Sequence, residues 1–165
     1  MRELLLCKAV PPQWRAAYAA LLADTGLRDE GHTDLTALLT EDGVLLGCGS
    51  LGGKVIRQVA VSPAAEGQDA CARIVSALVQ EAVKRGFLYP FLFTKPQNAR
   101  LFRSLGFYLV AETADMVMLC RQRDALVRFL EPLPRWQDGV TGCVVCHANP
   151  FTKGHLHLIT TAAAQ

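Results

Sequence analysis

In 165 residues, half of them apolar and a fifth charged, there is material for one ordinary core and the start of a second; no run nears the length of about eighteen apolar residues that a membrane helix needs. A net charge of +2, with the basic residues scattered, argues against a nucleic-acid groove or an anionic membrane surface as partner. Met1–Cys7 is too short and too acidic for a secretion signal, so the chain is expected in the cytosol, with Cys7, Cys48, Cys71, Cys120, Cys143 and Cys146 as free thiols that fill core space.

Taken in order, the apolar run Glu3–Cys7 predicts a first strand, and Pro11-Pro12 introduces a helix over Trp14–Leu22 that Gly26 closes. Leu35–Glu41 and Val44–Ser50 flank Asp42-Gly43, the signal of an antiparallel hairpin. Gly52-Gly53 predicts a second tight turn into a strand over Val55–Val61. Within Cys71–Arg85 the residues Ile74, Val75, Leu78, Val79, Ala82 and Val83 recur at helical spacing, and Gly86 is the expected stop. A strand over Leu88–Thr94, a short helix over Asn98–Leu105 ended by Gly106, and a strand pair Phe107–Glu112 and Met116–Arg121 follow.

The stretch Val55–Arg85, a strand, a glycine-bearing loop and a helix, has a phosphate-binding layout, because amides at a helix start point outward without partners and carry partial positive charge. A plain helix entry is the competing reading of Gly67–Ala70. The order strand, helix, three-strand meander, long helix, strand, short helix, Gly-Phe, strand pair resembles the GNAT acetyltransferase fold. Gly67-Gln68-Asp69-Ala70 before the long helix and Leu101-Phe102-Arg103-Ser104-Leu105-Gly106-Phe107 at the end of the short one carry the likeness, which covers roughly residues 1–121. The resemblance implies an α/β fold with a mixed, mostly antiparallel central sheet flanked by helices. It also implies that Gly67, Gln68, Asp69 and Ala70 hold the pyrophosphate of acetyl-coenzyme A, and that the pantetheine arm lies along Val59 to Val61. Two positions depart from the family pattern. Asp69 brings a carboxylate toward the phosphates where a small residue is usual, and Phe102 stands where the family has the tyrosine that protonates the departing thiolate. Lys95-Pro96 also stands where the family's short helix already runs, so Asn98 is an uncertain counterpart of the family's asparagine.

Asp124–Leu130 predicts a further short helix, and the proline-bearing connector after Glu131 a boundary, giving a domain over 1–130, a linker over 131–141 and a second unit over 142–165. Gly142–Cys146 reads as a buried-type strand, His147–His155 as a loop, and the run to Gln165 as a helix: a second strand–loop–helix phosphate site. Cys143-Val-Val-Cys146-His147 spells a haem-attachment motif, but cysteines three apart on a strand face opposite ways; the same geometry argues against zinc, and core packing is the expected role of both. Asn149-Pro150-Phe151-Thr152-Lys153-Gly154-His155 resembles the Thr-x-Gly-His signature of the HxGH nucleotidyltransferases. Attack on an α-phosphate builds charge on non-bridging oxygens, so helix-start amides, the Thr152 hydroxyl and the His155 imidazole are the useful groups, with Gly154 admitting the nucleotide. The resemblance makes Thr152 and His155 catalytic, and adds Asn149 and Phe151 to the nucleotide contacts; the competing reading is a helix cap with a nearby histidine.

A GNAT-like domain joined to Asn-Pro-Phe-Thr-x-Gly-His resembles the citrate lyase ligase family, with Leu92-Phe93-Thr94-Lys95, Leu101-Phe102-Arg103, Gly106-Phe107, Val117-Met118-Leu119 and Ala148–His155 as the specific matches. This implies an ATP-dependent, AMP-forming ligase that activates acetate as acetyl-adenylate, with magnesium accompanying ATP. The acetyl group then passes to the thiol of the coenzyme-A-derived prosthetic group on the acyl carrier subunit of citrate lyase. The GNAT-like domain is then reused to hold that arm. Only the first strand, loop and helix of a Rossmann-like nucleotidyltransferase domain fall within the 165 residues, so this chain alone is expected not to form adenylate. An N-acetyltransferase using acetyl-coenzyme A and a non-catalytic module that docks the carrier subunit are the alternatives.

Overall fold

Strand β1 (Arg2–Cys7) pairs antiparallel with β2 (Leu35–Glu41), from Arg2 opposite Glu41 to Cys7 opposite Thr36, in a computed structural model that describes residues 1–67, 69–133 and 143–164. Between them a 3-10 turn over Pro12–Trp14 leads into helix α1 (Arg15–Asp24), where proline loses no helical bond because the first turn has none to give. Thr25 closes α1 through its hydroxyl, 2.9 Å from the Leu21 carbonyl, and Gly26 turns the chain out at φ 69°. Asp42 and Gly43, at φ 48° and 80°, make the two-residue turn between β2 and β3 (Val44–Gly52) that suits the twist of a hairpin. The next turn is Gly53-Lys54 rather than Gly52-Gly53, since Gly52 still pairs with Val55 at the start of β4 (Val55–Val61).

Helix α2 (Ala70–Lys84) packs its apolar stripe on β2, β3 and β4, burying Ile74, Leu78 and Ala82 completely; each large aliphatic side chain contributes roughly 2 kcal/mol by burial. The approach is close because β3 carries glycines there. A Cβ on Gly47 would stand 2.7 Å from Ile74 and 2.9 Å from the Ala60 carbonyl, and one on Gly49 would stand 2.8 Å from Ile74. Helix α1 lies against β3 and β4 with Tyr18, Leu21 and Leu22 in a second buried cluster, so the sheet has a helix on each face.

Strand β5 (Phe91–Thr94) is shorter than the run from Leu88 suggests: Pro90 has no amide to donate, and Leu88 and Tyr89 are exposed. A 3-10 turn, helix α3 (Ala99–Ser104) and the hairpin strands β6 (Tyr108–Glu112) and β7 (Val117–Cys120) complete a seven-stranded sheet in the order β1-β2-β3-β4-β5-β7-β6. Every pairing is antiparallel except β4 with β5, the mixed and mostly antiparallel sheet that the family resemblance implies.

The chain divides into Met1–Arg128 and Phe129–Gln165, with helix α4 (Ala125–Leu130) running across the division. The second unit holds helix α5 (Lys153–Ala163), none of whose residues is buried. Cys143–Cys146 is not the buried strand expected of it. No strand among the described residues pairs with it, and unpaired extended chain gains neither ladder bonds nor a packed face, so both cysteines are exposed rather than in a core. Gly142 and most of the expected linker, residues 134–141, lie outside the described residues, as do Gln68 and Gln165. The start of a Rossmann-like sheet is therefore not seen. Among the described residues no helix is long and apolar enough to cross a membrane, and no cluster of three or more acidic, histidine or cysteine side chains forms a metal site.

Candidate functional site

Parallel strands β4 and β5 pair at only two positions, Val55 with Phe91 and Ile56 with Leu92, and then part. A bulge on the other side of β4 accentuates the opening. Ser50 faces Arg57 and Cys48 faces Ala60, which leaves Gln58 and Val59 together opposite Gly49. Gln58 sits at φ 55°, a left-handed conformation uncommon for any residue but glycine. The extra residue resets the alternation of the strand. Ile56, Val59 and Val61 all pack on the α2 side, and Ala60 on the α1 side.

The parting opens into a cavity of about 640 Å³, a size suited to an organic ligand. Five residues that the sequence assigns to an arm-binding site line it: Val59, Val61, Gly67, Asp69 and Ala70. The sixth, Gln68, lies outside the described residues. One wall is the start of α2, whose first helical bond runs from the Arg73 amide to the Asp69 carbonyl at 2.9 Å; the amides of Ala70, Cys71 and Ala72 precede that ladder, and no side chain caps the helix. Gly67 at φ 73° and Asp69 at φ 61° turn the loop so that this end meets the cavity.

The Asp69 carboxylate does not stand bare before that anion-binding end. Its Oδ1 lies 3.4 Å from the Arg2 guanidinium, which also engages Glu41 at 3.2 Å, so a cation from the amino-terminal strand tempers the charge that the sequence places there. Phe102, buried on α3, lines the opposite wall with Asn98 and Lys95. Burial pushes the Cys71 thiol up to about 11, which leaves it protonated near neutrality. Tyr18 is pushed up to about 12, also by burial, and points to Gln58 from beneath α1. The cavity thus combines an amide-rich anion end, free strand edges and an apolar wall. It can hold an extended arm ending in phosphate.

Residues that the sequence reading missed are Gln58, and Thr25 and Leu27 beyond the end of α1, which close the cavity from the other face. Nothing in Val55–Val61 as letters marks a left-handed glutamine.

In the second unit, α5 opens with Thr152 as its cap. The Thr152 amide donates to His155 Nδ1 at 3.0 Å, the Thr152 hydroxyl is 2.8 Å from the same nitrogen, and the His155 amide turns back to that hydroxyl. With Nδ1 accepting, the proton of neutral His155 belongs on Nε2, directed away from the cap. Phe151 stacks beside the imidazole with ring centroids 5.7 Å apart, and Gly154 is exposed on the first turn. Asn149 precedes Pro150 through a cis bond. The cap takes the Nδ1 edge of the ring, to which the Thr152 hydroxyl then donates, and leaves the Nε2–H edge for a phosphate, so the helix-cap and phosphate readings of His155 are compatible.

The Acetyltransferase (GNAT) family profile matches residues 2–107, which contain the parted strands and the α2 start. The chain belongs to that family. Among curated proteins this GNAT chain is 33% identical over 154 residues to a citrate (pro-3S)-lyase ligase from Klebsiella pneumoniae, covering 92% of the chain and 45% of that relative. It is 32% identical over 153 residues to the ligase of the same name from Escherichia coli strain K12, covering 91% and 44%. The chain thus spans under half the length of these relatives. Among solved structures, the N-acetylglutamate synthase from Neisseria gonorrhoeae, complexed with coenzyme A and N-acetyl-glutamate, superposes with a TM-score of 0.61 at 21% identity, over 72% of this chain and 35% of that one. An acyl-CoA N-acyltransferase from Pseudomonas aeruginosa gives 0.61 at 16% identity, over 74% of this chain and all of that one. These two likenesses are of fold.

Proposed function

We propose that the chain is the amino-terminal part of a citrate lyase ligase, in which the GNAT unit holds a coenzyme-A-like arm and the Asn149–His155 loop binds ATP. The observation that carries the first half is the meeting of Val59, Val61, Gly67, Asp69 and Ala70 around one cavity whose far wall presents Phe102 instead of a hydroxyl. The arm supplies a thiol at its tip. The α2 amides meet the phosphate end by partial charge, and the edges of β4 and β5 beyond Ile56 offer backbone groups to an extended chain. Apolar Val59 and Val61 desolvate its middle.

In the second unit, Nε2–H of His155 and the amides at the start of α5 face charge that builds on the α-phosphate as acetate attacks it, while the Thr152 hydroxyl holds the ring through Nδ1. The carboxylate oxygen forms the new bond to phosphorus, pyrophosphate leaves, and the arm's thiol then displaces AMP from the acetyl-adenylate. Positioning and charge stabilisation suffice, and no covalent enzyme intermediate is required. Acetyl transfer from acetyl-coenzyme A to an amine, the alternative, needs an acid near the thiolate, and Phe102 has no proton to give.

Calorimetric titration of the 165-residue chain with coenzyme A and with dephospho-coenzyme A tests the arm site. Saturable binding of at least one is expected; binding of neither overturns it. Amine acetylation by the same chain, abolished by a change at Gly67, would establish the alternative.

A further inference from the structure

Gln58 is 6% exposed, and its carboxamide is engaged at both ends. Nε2 donates to the Arg28 carbonyl at 2.7 Å, and Oε1 stands 3.4 Å from the Tyr18 hydroxyl. The bulge makes this reach possible. In a regular strand Arg57 and Gln58 would point to opposite faces; with Gln58 left-handed, both address the segment that follows α1, Arg57 pairing with Glu30 and Gln58 holding Arg28.

That segment has no helix or strand from Leu27 to Asp34; the Leu27 amide on the Leu22 carbonyl and the Asp34 amide on the Leu51 carbonyl, each at 2.8 Å, fix its two ends, and what lies between them depends on the side-chain bonds that reach it. The Glu30 pair and the bond from the Gly53 amide to Asp34 are exposed to water, whereas the Gln58 bond is partly buried and correspondingly stronger. Thr25 and Leu27 line the cavity; Thr25 is held by its own bonds to Leu21 and Leu22 at the end of α1, so Leu27, immediately before Arg28, is the lining residue next to the Gln58 bond.

We propose that Gln58 is a positioning residue of the cavity: its carboxamide fixes the Arg28 carbonyl and so holds Leu27, between the end of α1 and that bond, as the wall against which the coenzyme-A-like arm is pressed. This rests on the arm-site reading above. The left-handed backbone at Gln58 is kept because the side chain it aims performs this hold.

Two variants of the full chain separate the carboxamide from the backbone. Gln58→Gly removes the side chain at a φ that glycine adopts freely, so the fold is retained, while coenzyme A affinity falls about tenfold and amide exchange over residues 27–31 rises about tenfold. Gln58→Glu keeps the shape but sets a carboxylate against a carbonyl; near pH 8 it behaves like the glycine variant. Burial and the facing carbonyl push the new carboxyl up, so near pH 5.5 it takes a proton and regains a donor, and affinity relative to the unaltered chain recovers. Tyr18 from α1 and Cys48 from β3, the titratable side chains seen against Gln58, are both pushed up to about 12 by burial and stay neutral throughout; the Arg57–Glu30 pair beside them is common to all variants. Unchanged exchange over 27–31 in both variants, or no recovery by Gln58→Glu at low pH, overturns the proposal. If the unaltered chain binds no coenzyme A, the arm reading falls and the exchange measurement alone decides the clamp.

Discussion

The two helix starts of this chain are built in opposite ways. Helix α2 begins at a left-handed Asp69 with no side-chain cap and is held by five buried residues on a sheet, whereas α5 begins with a complete Thr152–His155 capping box and buries nothing. The first is positioned by packing, which leaves its amides to an outside anion. The second is shaped by its own side chains, so its local geometry forms without a core around it.

Thiol chemistry gives the largest test of that contrast. Cys143 and Cys146 are exposed, while burial pushes Cys71 up to about 11 and Cys48 up to about 12. A raised thiol value means less thiolate at a given pH, so at pH 8 iodoacetamide is expected to label the exposed pair about a hundredfold faster than Cys71 and about a thousandfold faster than Cys48, with the gap to Cys71 closing as pH climbs toward 11. Mass spectrometry of labelled peptides reads it; equal rates would break the contrast.

His155 comes next. On the proposed ligase reading, His155→Ala and His155→Asn, made in a citrate lyase ligase that carries this segment, are each expected to lower acetate-dependent ATP–pyrophosphate exchange by about a hundredfold. Asparagine restores an acceptor where Nδ1 stood but not the outward donor, so an active His155→Asn would reduce the residue to a cap. On the packed side, Gly47→Ala should lower stability by about 2 kcal/mol in a urea titration, since the Ala60 carbonyl that a Cβ would meet at 2.9 Å is backbone. The smallest effect is at Asp69. Asp69→Asn tolerates the left-handed backbone and removes the carboxylate, so coenzyme A should bind about threefold tighter at low salt, the gain shrinking as salt rises.

The sheet was legible because its signals are local. Asp42-Gly43 marks a turn whose two residues need positive φ, and the spacing of Ile74, Leu78 and Ala82 marks the buried stripe of α2. The strand–loop–helix order marked Gly67, Asp69 and Ala70 as the entry to α2, and the family resemblance, not a local signal, joined them to Val59 and Val61. The bulge did not, because a left-handed Gln58 has no signature in letters and is imposed by what the strand meets on either side. Asp69 was read by charge alone; its partner Arg2 lies 67 residues away in sequence, beyond any spacing rule. Cys143–Cys146 has the composition of a strand, but composition supplies no neighbour for it to pair with.

The two paired positions between β4 and β5 have a mechanical consequence. Strands β1 to β4 and strands β5 to β7 form two blocks joined in the sheet by a short seam, Val55–Phe91 and Ile56–Leu92. An occupant bonded to both lips of the seam acts as a splint, and the free energy with which it binds is also free energy by which the two blocks resist separating.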